Sequence, residues 1–352
     1  MHINGIQQLG VGVEDVREGF KWYRRNFGMD IKIFEEAAVS ELMLAHTNGK
    51  KCERHAILAM NMQAGGGFEI WQHTGKKPVF PEHEIQIGDL GIAIGKIKTD
   101  NVQKAYNQFK KSGEKLLTEV VKDPAGNDHF YIRDPFNNTW EFCYEPYKLF
   151  NTKANNGGIY GCVIGVKDIE ESLVIYRDIL DYDLVISDTT DVFEDLKGIP
   201  GGSAKMRRVI LKHSKKRNGA FSPLLGPSSI ELIQVLDREA KGIYEGRIWG
   251  DPGFIHLCFD VNGIDALREF VREKGYPFTV DSAKAMDTFD MGETAGNFAY
   301  LQAKEGTLIE FVETHKVPLL KKLGLYLNLR KRERKPLPNF ILRLFSIKRV
   351  KN

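Results

Sequence analysis

Residues 8–15 read QLGVGVED and residues 160–168 read YGCVIGVKD. Each is a short apolar strand that closes on a hydrophobic residue and an acid. Each runs into an aromatic-rich helical stretch, DVREGFKWYRRNFGMDI over 15–31 and DIEESLVIYRDILDYDL over 168–184. Within these, W-Y-R-R-x-F-G-M aligns with I-Y-R-D-I-L-D-Y. Two other strands, DLGIAIGKI (89–97) and HLCFDV (256–261), lead into NVQKAYNQFKKSGEKL (101–116) and IDALREFVREKGYPF (264–278). Glycine ends both of these helices, because it takes the left-handed conformation that terminates a helix. The first type of unit alternates with the second, so the chain is an internal repeat in the order A, B, A, B.

Every unit closes on an apolar strand holding one glutamate: GFEIWQ (67–72), NTWEFCYE (138–145), SSIELIQVL (228–236) and GTLIEFVE (306–313). Alternate residues of a strand share a face, so a glutamate between apolar neighbours points away from them. A single such residue reads as a solvent-facing charge. Four at the same place in four units point to a shared concave face.

The bulk properties are those of a soluble globular protein of about two domains: 352 residues, 42% hydrophobic and 28% charged. The N-terminal MHINGIQQLG lacks the basic and apolar regions of a signal peptide. No apolar run approaches the roughly 18–20 residues that span a bilayer. Cys52, Cys143, Cys162 and Cys258 form no C-x-x-C pair and read as free buried thiols of a reducing, cytoplasmic compartment. No nucleic-acid-binding module is present. Net charge is uneven. Residues 314–352 carry twelve Lys or Arg and one Glu, a net of +11, so a total of +3 leaves +3 less +11, or −8, on residues 1–313.

One strand, one helix and three strands closing on x-E-x, four times over, resembles the vicinal-oxygen-chelate superfamily of glyoxalase I, the bleomycin-resistance proteins and the extradiol dioxygenases. The likeness spans roughly residues 5–313 and is greatest to a tandem four-module protein of the glyoxalase I type. It implies an α+β fold of four βαβββ modules, at 5–73, 87–146, 158–237 and 252–313, pairing into two curled-sheet cups. The halves 1–148 and 158–313 would be two domains, with 314–352 a basic amphipathic tail.

The resemblance places metal ligands on the first and last strands of each module. The first-strand positions fall on Gln8, Asp89, Gly161 and His256, and the last-strand positions on Glu69, Glu141, Glu231 and Glu310. If each A pairs with its own B, the cups are Gln8/Glu69/Asp89/Glu141 and Gly161/Glu231/His256/Glu310. If the first A meets the last B, they are Gln8/Glu69/His256/Glu310 and Asp89/Glu141/Gly161/Glu231. The swapped set matches the Gln, Glu, His, Glu ligand order of glyoxalase I, and its second cup looks degenerate. Gln8, Glu69, His256 and Glu310 are therefore the expected ligands. One imidazole, two carboxylates and an amide suit one divalent ion: Zn, Ni, Co, Mn or Fe.

By the same resemblance Glu310 is the catalytic base, with Glu69 its counterpart. The implied reaction is that of a lyase or isomerase, a proton shuttled alpha to a carbonyl through a metal-bound enediolate. The family's glutathione-dependent members carry two arginines where this chain has Gly12 and Pro252, so glutathione is not implied; Arg54, His73 and Arg247 are nearby substitutes. A ring-cleaving Fe(II) dioxygenase is the alternative, although Gly161 stands where its second histidine would be. A non-catalytic binding protein that sequesters a small molecule is another.

Lesser features complete the reading. HTGKKPVFPEHEI (73–85) is a linker, 145–158 the boundary between halves, and 189–227 a long hairpin insertion turning at Gly201-Gly202. Lys215-Lys216-Arg217 reads as solvated loop charge. Asp123–Asn127 and Asp134–Asn138 read as hairpin turns. In the tail, a short amphipathic segment from Pro318 leads into the basic run 330–335, and Phe340, Ile341, Leu344, Phe345 and Ile347 line one helical face with Arg343, Lys348, Arg349 and Lys351 mostly off it. Three destinations suit residues 318–350: an anionic membrane surface, the acidic body of the protein itself, or a nucleic acid. The expected partner is a small-molecule substrate, apolar in character if the tail meets lipid.

Overall fold

The computed structural model describes residues 1–285, 289–290, 295–320, 325–329 and 334–350. Four modules follow one another. The first is strand His2–Gly12, helix Val16–Phe27 and strands Ile31–Ser40, Cys52–Met60 and Gly67–His73. Its helix starts where Asp15 turns its carboxylate onto the backbone N–H groups of Arg17 and Glu18, and stops at Gly28 with φ 71°. The third module repeats this start at Asp168, but its helix widens into a π turn over Val174–Ile179. The second and fourth modules open with strands Gly91–Thr99 and Gly253–Asn262.

The two sheets each take one module from either half of the chain. His2–Gly12 pairs antiparallel with Gly253–Asn262, setting Gly10 opposite His256, and parallel with Gly67–His73. The first module therefore shares a ten-stranded sheet with the fourth. The second and third share the other, of nine strands, through Gly91–Thr99 and Ile159–Gly165. Between the sheets lies a fully buried aromatic cluster including Tyr23, Phe27, Phe68, Trp140 and Phe142. Asp134 ties it together, accepting from Tyr23 Oη at 2.6 Å and Trp140 Nε1 at 2.8 Å. Its turn is the expected one, closed by Asp134 N–H to Asn138 O at 3.0 Å. The four cysteines are free and buried.

Three expectations are corrected. Arg217 is not solvated: its Nη1 donates to Ile3 O at 2.9 Å and its Nη2 to Leu180 O at 2.8 Å, stitching the insertion to the first strand. The last repeat strand does not stop near Thr314. It runs Leu308–Leu320 and returns as Leu325–Asn328, so the segment from Pro318 begins as a hairpin because the sheet edge still offers backbone partners. The single apolar face of the tail helix is split. Helix Asn339–Arg343 tightens into a 3-10 turn over Leu344–Lys348, where residues three apart eclipse. Leu342 is fully buried, with Ile341 and Phe345 packed against the same cluster, while Phe340, Leu344 and Ile347 face outward. Of the expected basic run, residues 330–333 lie outside the described residues, as does Lys351. No described helix is long and apolar enough to cross a membrane.

Candidate metal centre

The swapped cup is the one the sheet builds. Gln8, Glu69, His256 and Glu310 come from four strands that lie side by side, and their side chains meet at the cup floor. One ligand atom each from Glu69, His256 and Glu310 lie within 4.8 Å of one another. His256 Nε2 is 3.1 Å from Glu310 Oε2 and 3.5 Å from Glu69 Oε2. Gln8 Nε2 lies 3.3 Å from Glu69 Oε2 and 3.4 Å from Glu310 Oε2. Turning the amide over brings its oxygen to that point in place of its nitrogen.

Glycine makes room for the imidazole. A Cβ at Gly10 would lie 2.5–2.9 Å from three ring atoms of His256, so only glycine lets the ring lie across the first strand. The ring is fully buried, and neither nitrogen makes a hydrogen bond of good geometry to a described residue. Tyr300 stands edge-on to it, with centroids 5.6 Å apart.

The electrostatics are those of a site short of positive charge. Burial pushes the Glu69 carboxyl up and Glu310 adds to the push, with His256 acting against it. Burial acts on Glu310 too, but the adjacent imidazolium of His256 outweighs it and holds the carboxyl below its usual range. His256 is raised in turn, its two carboxylate neighbours overcoming the cost of burying a cation. Two carboxylates, an imidazole with no good partner and an amide oxygen within reach form a donor set that fits a divalent ion, which would replace the imidazolium proton and leave the site neutral.

Above the floor is a cavity of about 390 Å³. Its walls are mainly apolar and include Phe34, Leu58, Met60, Leu224, Trp249 and Phe298. Arg54 lines it while paired to Glu36 at 2.7 Å. Arg247 instead donates to the backbone oxygens of Ile243 and Pro252, and His73 is packed beside Asp251. Of the three expected substitutes for the missing arginines, Arg54 alone reaches the cavity.

A family model described as the Glyoxalase/Bleomycin resistance protein/Dioxygenase superfamily matches residues 5–142 and 158–311. The chain belongs to this superfamily. Among solved structures it is similar to glyoxalase I from Zea mays, at 14% identity over 88% of this chain and 92% of that one, with a TM-score of 0.54. It is also similar to a putative dioxygenase from Bacillus subtilis subsp. subtilis str. 168, at 11% identity over 99% and 97%, with a TM-score of 0.57. At such identities these likenesses show the fold. No curated protein matches.

The cup of the second and third modules is filled from within. Lys96 Nζ lies 2.9 Å from Glu141 Oε2 and 2.5 Å from Glu231 Oε2. Arg208 Nε reaches Glu231 at 2.6 Å and its Nη1 reaches Asp195 at 2.6 Å. His129 lies 2.8 Å from Glu141 and 3.3 Å from Asp195. Three acids thus face three bases, all buried. Asp89 is absent from this cup, correcting the expected ligand position. Its strand begins only at Gly91, and its carboxylate is held outside by Arg238 at 2.7 Å and the backbone N–H of Gln86 at 2.9 Å. Gly161 can carry no ligand, because a Cβ there would lie 1.7 Å from Ser229 O.

Sequence reasoning missed Lys96, His129, Asp195 and Arg208. The signal for Lys96 was present: a lysine inside the otherwise apolar GIAIGKI. Asp195 arrives from the hairpin insertion, which no local pattern announces.

This network makes stability depend on pH. Burial alone would lower the His129 pKa, but Asp195 and Glu141 raise it to about 9. Its stabilisation is therefore complete below the ordinary value of about 6.5 and lost as pH rises through about 9. Between pH 6.5 and 10 the wild type should lose on the order of 3 kcal/mol relative to His129→Gln. Chemical denaturation of both proteins across that range checks this. A constant difference between them would contradict it.

Proposed function

We propose that this protein is a metal-dependent enzyme of the glyoxalase type, which moves a proton on the carbon alpha to a carbonyl. The observation that carries this reading is the meeting of Gln8, Glu69, His256 and Glu310 beneath an apolar cavity. A divalent ion held by these side chains would supply Lewis-acid polarisation of the substrate carbonyl, which would acidify the C–H bond on the carbon alpha to it. Glu310, whose Oε2 faces the cup beside His256 and Gln8, is placed to take the proton. Glu69 faces it from the other side of His256, placed to receive or return the proton. Tyr300 and Trp249 line the cavity on the fourth-module side, and His256 lies between the two acids.

The substrate fitting this site has an apolar body and vicinal oxygens, and needs no glutathione. Among the described residues the cup holds one histidine, which supports proton transfer over the two-histidine iron chemistry of a ring-cleaving dioxygenase.

The test is exchange of the carbinol C–H of 2-hydroxyacetophenone in D2O, followed by proton magnetic resonance, with protein loaded with Zn, Ni, Co, Mn or Fe. Wild type should accelerate exchange. Glu310→Gln should lower it by about 10²–10⁴-fold, the usual worth of a positioned general base, with the loaded metal retained. Equal exchange by the variant would remove Glu310 from the role. Tight binding of the ketone without exchange by any loaded form would favour sequestration.

A further inference from the structure

The tail carries an apolar face that the fold leaves uncovered. Phe340 is 71% exposed, Leu344 42% and Ile347 81%. These residues stand at i, i+4 and i+7, so they form one outward stripe along the helix and its 3-10 continuation. The segment is not loosely attached. Its inner side buries Leu342 completely and packs Phe345 against Phe221, with ring centroids 6.3 Å apart. Lys348 Nζ donates to Ile33 O at 2.7 Å, Arg349 pairs with Asp30, and Val350 N donates to Asp30 O at 2.8 Å. Three large hydrophobic side chains are therefore held outward by an anchored scaffold.

The segment that carries the stripe is basic. Residues 334–350 contain Arg334, Lys335, Arg343, Lys348 and Arg349 and no acid. Arg334, Lys335 and Arg343 are exposed. The inner side of the same segment reaches the cavity, which Phe345 lines together with the exposed Val39 and Glu41.

We propose that this face docks on an anionic lipid bilayer. An interfacial helix inserts its apolar side chains at the acyl boundary while flanking cations meet acidic headgroups, and this segment presents both halves of that pattern. A nucleic acid would use the cations but leave Phe340 and Ile347 in water. A second copy of the chain, meeting the same face about a two-fold axis, would bring the two basic patches together. Charge complementarity therefore selects the lipid surface. The expectation that the tail packs on the acidic body also holds in part, because its other side is the side that packs.

The test uses the full chain and flotation with vesicles of phosphatidylcholine alone or with 30% phosphatidylserine. Wild type should bind the serine-containing vesicles at least about tenfold more tightly, and lose most of that at 0.5 M salt. Phe340→Ser/Leu344→Ser/Ile347→Ser changes only exposed positions and should keep the folded spectrum while lowering binding about tenfold or more. Arg334→Glu/Lys335→Glu/Arg343→Glu should abolish the preference for the anionic lipid. Equal binding to both vesicle types, or triple-serine protein that binds like wild type, overturns the proposal. So does a wild-type dimer that the serine variant dissociates while neither form floats. Vesicle binding requires no turnover, so this result is separate from that of the catalytic reading.

Discussion

Replacing Lys96 with Met is expected to destabilise the protein by about 3–5 kcal/mol, the range found when one partner of a buried ion network is removed. The ammonium lies between Glu141 and Glu231, and all three groups are buried. Burial alone would lower the Lys96 pKa, but those two carboxylates raise it well above its usual value, so the group stays charged. Methionine keeps much of the volume and leaves two carboxylates facing each other without their shared cation. Arg208 would still serve Glu231 and His129 would still serve Glu141. That is why a loss larger than this range is not expected. The measurement is chemical denaturation with a chelator present, so that no divalent cation substitutes for the ammonium. A change under about 1 kcal/mol would mean the network does not balance as its geometry suggests.

Replacing His256 with Ala should weaken divalent-metal binding by at least about 100-fold, the upper end of what even outer-shell partners of metal ligands are worth. His256 supplies the nitrogen of the donor set, and its loss leaves Glu69 and Glu310 with an amide. The same change should also destabilise the metal-free fold, because it leaves Glu69 and Glu310 facing each other without the imidazolium between them and opens a gap where Gly10 and Tyr300 face the ring. Titration calorimetry with Mn or Zn, alongside a circular dichroism spectrum, separates loss of the site from loss of the fold. Unchanged affinity in a folded variant would remove His256 from the ligand set.

The modules were legible because several signals recur among them: an acid that caps the first and third helices, a glycine that ends or follows the first, second and fourth, and a glutamate alternating with apolar residues in all four last strands. Gln8, Glu69, His256 and Glu310 were singled out by the resemblance, which implies ligands on the first and last strands of each module. The pairing of the first module with the fourth is a tertiary choice. No residue near Gln8 encodes that its neighbour will be His256, some 250 positions on, and the ligand order favoured that partner only through resemblance. Asp89 was misplaced because an apolar run preceded by an acid does not reveal that its strand begins at Gly91 and ends at Thr99. The cavity was not legible at all. Its walls combine Leu58 and Met60 of the first module, Leu224 of the insertion in the third, Phe298 of the fourth and Phe345 of the tail. The tail face divided because a 3-10 turn changed the helical period at Leu344, and no residue there announces the change.

The most direct measurement is the divalent-metal content of the purified full-length chain by elemental analysis, after equilibration with a slight excess of each candidate ion and removal of the free excess. One ion per chain in wild type and none in His256→Ala is the result predicted by one donor cup and one cup already closed by Lys96, Arg208 and His129. Wild type holding no ion under any loading condition, or holding two, would contradict it.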